Sequence, residues 1–397
     1  MIKLNQIKRW GDNMEIKVIA STKPGNITSK EEFNEFSGHC AGVCYMADNF
    51  ETLMNEDKEK TNRRIIMTKS GGHHSVFDHN YITLELEDIP KLLAMLINNE
   101  KMYTTSEKSA RYTRMKPTEK EEALYNKWQA IFEEKILAKY PEMNPKKVTK
   151  LAQENSRYLI SVLTKTTMIY TVSYRQLNYI YGWVTKLMNS TSENRIVKAL
   201  IPSLKEFKEK LETTGYIEEG LYEDNKSRGF SLIYDSLNKQ EYFGDVYCTT
   251  YKGSFAEFAQ AQRHRTISYE IAPLKDDEFF VPPIIEEDEK LKADWICDIK
   301  SVADLLPQGM MVLINERGTY ENFILKLKER ICTNAQLEIC NQSRATLLKY
   351  QAALEKENHP LKMDIARYTK GARCTFGDFK CTSDCGFNEG KTLKRLI

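Results

Sequence analysis

The sequence has no run of about 18 uninterrupted apolar residues, the least that a membrane-spanning helix needs. Its first thirteen residues, MIKLNQIKRWGDN, lack the apolar core of a secretion signal. Net charge is nearly absent: 58 basic side chains against 56 acidic ones leave +2. That excludes wrapping nucleic acid or coating an anionic bilayer by bulk charge, so any anion must be held by local arginine placement. No G-x-G-x-x-G fingerprint occurs, and a dinucleotide would therefore bind outside a Rossmann unit. The cysteines form no disulfide framework: nine of them, an odd number, are scattered from Cys40 to Cys385, as suits a reducing compartment. A soluble cytoplasmic protein is expected, with neither nucleic acid nor membrane as a partner. What is present is a globular composition, 41% hydrophobic and 29% charged, over 397 residues, more than one ordinary domain needs.

Residues 14–21 read as a strand, and 48–64 as a charged helical stretch leading to Gly71-Gly72. Ile82, Leu84 and Leu86 alternate with Thr83, Glu85 and Glu87, the period of a half-buried strand. Asp88 is placed to cap a following helix with Pro90 near its first turn, whose apolar face is Leu92, Leu93, Met95 and Leu96. A long amphipathic helix is predicted over 118–140, then a strand at 167–172 and a helix at 175–188. The second half replays this order. A strand at 309–315 and a helix at 319–340 lie about 146 positions after their counterparts, and a helix at 253–265 ends in Arg263-His264-Arg265. The matching helix of the first half ends in Asn98-Asn99-Glu100, 165 positions earlier. Two copies of one α+β unit are expected, residues 1–205 and 206–397, joined within 189–216, which holds a polar run, Pro202 and Gly215.

Three segments carry chemistry. Two arginines flanking a histidine at a helix end repel one another unless an anion lies between them, and guanidinium forks match phosphate or carboxylate; a solvated basic turn is the bland alternative. His73–His79 concentrates three of the six histidines. That segment suits a metal site, cofactor contact by ring nitrogens, or a structural turn before a strand. The loop from Thr104 to Tyr112 offers Ser109, Arg111 and backbone N–H groups to a phosphate, or is ordinary surface.

Together these segments resemble the flavin-dependent thymidylate synthases. The resemblance rests on His73-x-Ser75-x-x-Asp78-His79, on Ser106-Glu107-Lys108-Ser109-Ala110-Arg111-Tyr112 and on Arg263-His264-Arg265-x-x-Ser268-Tyr269. Glu154-x-x-Arg157 and residues 319–338, with Arg330 before Ala335-Gln336, are similar to later segments of the same family. The resemblance covers most of the chain as two diverged copies, and each copy lacks what the other keeps. The first has Asn98-Asn99-Glu100 for Arg-His-Arg and Val184 for the late arginine. The second has Pro273 and Lys275 in the nucleotide loop, Ala303 at the Glu-x-x-Arg arginine and Asn238 at the first histidine of the turn.

The resemblance implies an α+β fold of antiparallel or mixed sheet with long packed helices. It implies a methyltransferase that moves a methylene group from methylenetetrahydrofolate to C5 of dUMP, with FAD as cofactor and NADPH as reductant. Arg157, Arg263 and Arg330 would be catalytic. Ser109, Ala110, Arg111 and Arg330 would hold the nucleotide phosphate, Arg157 would face the uracil, and Gln260 with Arg263 would align it. His73, Ser75, Arg263, His264 and Arg265 would hold the flavin, Glu107 would touch both nucleotide and flavin, and Glu154 is a secondary candidate. Because the family builds its sites between subunits, a homodimer acting as a pseudo-tetramer is expected, with no resident metal. Two rival enzymes stay open, a metal-dependent phosphohydrolase on His73, His74, Asp78 and His79, and a hydroxymethylase of another pyrimidine nucleotide. The latter is suggested by Ser106, and by Ser161 where the family has proline. A retired duplicate that binds nucleotide or a partner without turnover is the non-enzyme reading. Cys374, Cys381 and Cys385 in the tail are expected to be free thiols rather than zinc ligands.

Overall fold

Alternation decides the strands. Ile82, Leu84 and Leu86 are buried, while Thr83, Glu85 and Glu87 between them are partly exposed. The computed structural model describes residues 14–22, 29–46, 50–108, 116–222, 229–379, 381, 385–387 and 390–397. The described residues are α+β and form two units, one within Met1–Lys108 and Lys165–Ser231, the other within Ser109–Thr164 and Leu232–Ile397.

The first unit is a four-stranded antiparallel sheet in the order β1 (Glu15–Thr22), β2 (Tyr81–Pro90), β4 (Lys165–Ser173), β3 (Thr104–Glu107). Its helices start on side-chain caps. Ser29 and Glu32 form a capping box for α1 (Lys30–Tyr45), and Ser173 caps α7 (Tyr174–Met188) by accepting the Gln176 N–H. Phe33 on α1 meets Tyr174 at 5.3 Å between ring centroids, tying helix to sheet end. α8 (Arg195–Thr213) buries Ile196, Val197, Leu200, Leu204, Phe207 and Leu211 at helical spacing, so most of the segment expected to contain the join is helix, running through Pro202.

Two expectations fail here. The stretch 48–64 holds two helices, α2 (Phe50–Met54) and α3 (Lys58–Ser70), because the Asp57 side chain accepts the Glu59 N–H and begins a new helix. Asp88 caps nothing. It adopts φ 53° where the β2 register shifts between Leu86 and Ile89, and Pro90 is the N-cap of α4 (Lys91–Ile97).

The second unit has a four-stranded antiparallel sheet in the order β5 (Tyr242–Phe243), β6 (Val246–Ser254), β8 (Met311–Thr319), β7 (Ser268–Pro273). This repeats the first sheet strand for strand. Beneath it Tyr247, Phe323, Leu327, Leu347, Tyr350 and Leu354 are part of one buried cluster. The predicted helix 319–340 is broken into α12 (Tyr320–Arg330) and α13 (Leu337–Lys356). Arg395 near the C-terminus donates to the Ala335 carbonyl, and Arg373 N–H to Ile331 O, so both flanks of the break are tied down. The predicted helix 253–265 is only α9 (Phe255–Ala261), which leaves Arg263-His264-Arg265 in the turn beyond it.

This unit also takes in α5 (Glu119–Lys139) and α6 (Pro145–Ser156), which precede its sheet in sequence. Thr118 and Glu121 form the capping box of α5, and Trp128 is fully buried edge-on to Trp295 at 4.9 Å. The Trp128 indole N–H donates to Asp298 at 2.7 Å. Beyond α6 the chain passes its counterpart antiparallel at a Ser161–Pro307 bridge. Val162 N–H reaches Leu306 O at 2.9 Å, and Gln308 N–H reaches Ile160 O at 2.8 Å. Each pair maps onto the other when 146 is added to or subtracted from the numbers, which is a local two-fold axis within one chain.

Candidate active site

Arg157 opens the short 3-10 turn Arg157–Leu159 that ends α6, inside the second unit. Gly309 makes the neighbouring strand's close approach to Tyr158 possible: its N–H donates to Tyr158 O at 2.8 Å, and a Cβ there would sit 3.0 Å from the Tyr158 Cβ. Arg157 is 9% exposed, and its Nη2 donates to Gln336 Oε1. Gln260 Nε2, at the end of α9, donates to the same oxygen. Arg330, the last residue of α12, donates from Nε to His264 Nε2 at 2.8 Å and from Nη2 to the Gln260 carbonyl at 3.3 Å. Five groups from four segments, Arg157, Gln260, His264, Arg330 and Gln336, thus form one bonded cluster.

His264 is a neutral imidazole here. Burial, then the nearby Arg330, Lys326 and Arg263 cations, push its pKa down to about 2. With Nε2 accepting from Arg330, the ring proton belongs on Nδ1. Arg263 and Arg265 on either side of it are exposed. Two guanidinium forks separated by one buried neutral ring suit a pyrophosphate, so the donor set fits a dinucleotide cofactor.

Behind Gln336 lies a second layer. Gln336 Nε2 donates to Tyr158 OH, and Tyr158 OH donates to Glu338 Oε2 at 2.7 Å. Glu338 also accepts the Ser254 N–H at 2.8 Å and the Ser254 hydroxyl at 2.6 Å. Burial raises the Glu338 pKa, opposed by these donors; burial likewise raises that of Tyr158 far enough to keep its phenol protonated.

Of the other expected site residues, Ser109, Ala110 and Arg111 lie outside the described residues. His73 and Ser75 are exposed on the first unit. Glu107 is held by Lys91 at 2.6 Å. Glu154 is buried. The rival metal site loses two of its four proposed ligands to other bonds. His74 is buried and bonded to Tyr179 OH and Lys69 O, and Asp78 takes Arg175 at 2.7 Å and Ser173 at 2.5 Å. Among the described residues no group of three or more His, Cys, Asp or Glu is placed to hold a metal ion, and eight of the nine cysteines, all but Cys44, are described as free thiols. No described helix is long and apolar enough to cross a membrane.

The pairing of the two halves needs one correction. The 165-position offset set Asn98-Asn99-Glu100 against Arg-His-Arg. Backbone bonding fixes 164: Asn99 N–H to Leu96 O matches Arg263 N–H to Gln260 O, and Glu100 N–H to Ile97 O matches His264 N–H to Ala261 O. The counterparts of Arg263, His264 and Arg265 are therefore Asn99, Glu100 and Lys101.

Sequence reasoning did not single out Tyr158, Glu338 or Ser254, and gave Gln336 no role. Their signal was slight: polar residues on segments read as ordinary helix and strand.

Residues 28–207 match the model of the family described as Thymidylate synthase complementing protein. A flavin-dependent thymidylate synthase of Pyrococcus furiosus is 24% identical over 150 residues, 35% of this chain. The chain spans 59% of that relative's length. Among solved structures, a UMP/dUMP methylase PolB from Streptomyces cacaoi shares 15% identity over 43% of this chain and 77% of its own, with a TM-score of 0.30. Thymidylate Synthase X from Helicobacter pylori, solved with FAD and dUMP, shares 15% over 51% of this chain and 99% of its own, with a TM-score of 0.28. Superposition scores this low add nothing to the fold described above. Residues 28–207 are thus similar to the thymidylate synthase complementing protein family, and the chain is flavin-dependent thymidylate synthase-like.

Proposed function

We propose that the chain is an FAD-dependent thymidylate synthase that reductively methylates dUMP to dTMP, using methylenetetrahydrofolate and NADPH. It is built from two diverged copies, residues 1–205 and 206–397, and works in the cytoplasm as a homodimer that imitates a tetramer. The observation that carries this reading is the shared Gln336 oxygen. It joins Arg157, which only the first copy keeps, to Gln260 and, through Gln260, to Arg330, which only the second copy keeps.

Arg157 would lie beside the pyrimidine and stabilise the negative charge that develops as C5 becomes nucleophilic. Its burial strengthens that interaction by excluding water. Arg330 would hold the nucleotide phosphate with Ser109, Ala110 and Arg111, and its bond to neutral His264 fixes its direction. Arg263 and Arg265 would grip the cofactor's phosphates, with His73 and Ser75 as further contacts and Ser109, Ala110 and Arg111 on the nucleotide phosphate. FAD, once reduced by NADPH, would supply the hydride that completes the methyl group.

The alternative hydroxymethylase reading leaned on Ser161 replacing proline. Here Ser161 serves the fold: its N–H donates to Glu121 at 2.7 Å, its Oγ accepts the Leu163 N–H at 2.9 Å, and it pairs with Pro307 across the local two-fold. That departure therefore gives no support to altered chemistry.

The purified protein should be yellow, carry one FAD per chain rather than two, and oxidise NADPH faster when dUMP and methylenetetrahydrofolate are both present. Absence of bound flavin, or no response to dUMP, would overturn the reading.

A further inference from the structure

Cys332 lies in the break between α12 and α13, and Cys340 lies in the first turn of α13, with Gln336 midway between them. Three observations bring the two thiols together. Ala335 N–H donates to Cys332 O at 3.0 Å and Cys340 N–H to Gln336 O at 3.1 Å, so the span folds back on itself. Ile331, next to Cys332, belongs to the same buried cluster as Cys340. The Cys340 sulfur accepts hydrogen bonds from the Cys332 backbone N–H and from the Arg395 side chain. A sulfur bonded to another cysteine's backbone N–H puts the two side chains within reach of a disulfide, whose Cα atoms stand roughly 4.4–6.8 Å apart. The chemistry divides between them. Cys332 is partly exposed and meets an oxidant first, whereas Cys340 is 2% exposed and waits behind it. Burial raises the Cys340 pKa, and Arg395 and the Cys332 N–H oppose the rise. Arg395 is itself buried and donates to the Ala335 and Ile397 carbonyls, so its charge stays beside the sulfur and favours a thiolate there.

We infer that Cys332 and Cys340 are a modification site, a thiol pair that a small-molecule disulfide converts reversibly into an intramolecular disulfide. The Cys332 thiolate attacks one sulfur of the reagent, the reagent's S–S bond breaks, and one small thiol leaves. The Cys340 thiolate then attacks the Cys332 sulfur, closes the new S–S bond and expels the second small thiol. Two protein thiols are oxidised, one reagent disulfide is reduced, and the two protons end on the two released thiols. Excess small thiol reverses both steps. The link closes a ring over residues 332–340 that contains Gln336, whose amide oxygen holds Arg157 and Gln260. Drawing the Cys340 sulfur onto Cys332 also takes it from Arg395, the residue that ties down Ala335 beside Gln336. The oxidised chain should therefore bind nucleotide more weakly. That consequence rests on the thymidylate synthase reading; the thiol pair itself does not.

The test incubates the full chain as purified with oxidised glutathione, digests it without reductant and identifies linked peptides by mass spectrometry. Calorimetry measures the dUMP dissociation constant before and after. A Cys332–Cys340 link that dithiothreitol reverses is expected, with dUMP affinity falling about tenfold in the linked form. Cys332→Ser, at a partly exposed position, should form no link and keep its affinity under the oxidant. Cys374 supplies the control, because it packs against the same cluster and follows Arg373, whose N–H reaches Ile331 O at 2.7 Å. Cys374→Ser should behave as the parent does. No link, a glutathione adduct left standing on Cys332, or a Cys332–Cys374 link in its place would each overturn the pairing. A correct link with unchanged dUMP affinity overturns the coupling to Gln336. A reduced parent that binds no dUMP sinks the functional reading instead, and the linked peptides alone then decide the site.

Discussion

The turn at 98–101 and the turn at 262–265 follow helices of equal length and share their backbone bonds, yet one is closed and the other open. In the first, Asn98, Asn99 and Glu100 are all buried. Glu100 Oε1 accepts the Ser231 N–H at 2.7 Å and its hydroxyl at 3.0 Å, Asn99 Nδ2 donates to Ser231 Oγ at 2.9 Å, and Phe230 lies against Trp183 at 5.7 Å. In the second, Arg263 and Arg265 stay exposed around buried His264. The same contrast runs beneath the turns. The first unit buries Leu93, Tyr170 and Ile180 where the second buries Glu257, Glu316 and Lys326. Apolar packing and a turn tied to Ser231 stabilise without a ligand; buried charge and exposed arginines suit one that binds.

The largest expected difference is catalytic. Arg263→Ala, Arg330→Ala and Arg157→Ala should each cut dUMP-dependent NADPH oxidation by about a hundredfold or more, the scale of losing a charge-stabilising donor. Asn99→Ala and Lys275→Ala should leave it within about twofold. Equal losses from Asn99→Ala and Arg263→Ala in a steady-state assay would erase the distinction between the turns.

The next effect concerns pH. Glu257 is fully buried, and burial, only partly offset by Lys326, raises its pKa to about 8. Its folded value lies above the ordinary 4.5, so its contribution is complete below pH 4.5. Between 4.5 and about 8 the unfolded chain releases a proton that the folded chain keeps, and stability falls by roughly 1.4 kcal/mol per pH unit. Glu257→Gln should remove that slope. Its unfolding free energy relative to the parent should rise with pH across the window and level off above it. Leu93→Ala, at the matching site, should destabilise by about 2–5 kcal/mol with no added pH dependence.

The sequence made strands and caps legible because their signals are local. Alternation at 82–87, and Thr118 three residues before Glu121, need no partner from elsewhere in the chain. Helix ends were less legible where distant residues set them. Nothing near 331–336 announces a break, since Arg395 and Arg373 hold it from far along the chain. The arginines of the cluster stood out by motif and by their complementary loss. Gln336, Tyr158 and Glu338 did not, because a polar residue at a helix start has no local mark of burial. The one-residue error in pairing the turns came from aligning predicted helix ends, where backbone bonds set the register.

A smaller asymmetry sits on the local two-fold. Pro307 has no N–H to lose, whereas the Ser161 N–H is bound to buried Glu121. Ser161→Pro, which would make the two strands alike, should therefore destabilise by about 1–3 kcal/mol through the stranded carboxylate. Pro307→Ser should cost less than about 1 kcal/mol, mainly by loosening the unfolded chain. Urea unfolding of both variants checks the order, and equal costs would show that Glu121 gains nothing from the bond.

The smallest expected effect tests whether the closed turn is only structural. Ser231→Ala removes one hydroxyl that donates to Glu100 and accepts from Asn99, but keeps the backbone N–H on the carboxylate. A loss of about 1 kcal/mol is expected in chemical unfolding, because the Ser231 backbone N–H still holds the carboxylate. Flavin content and kcat/KM for dUMP should not move, since every residue assigned to the reaction lies elsewhere. A change in either at unchanged stability would mean that the turn at 98–101 still communicates with a ligand, and that the two turns differ in degree and not in kind.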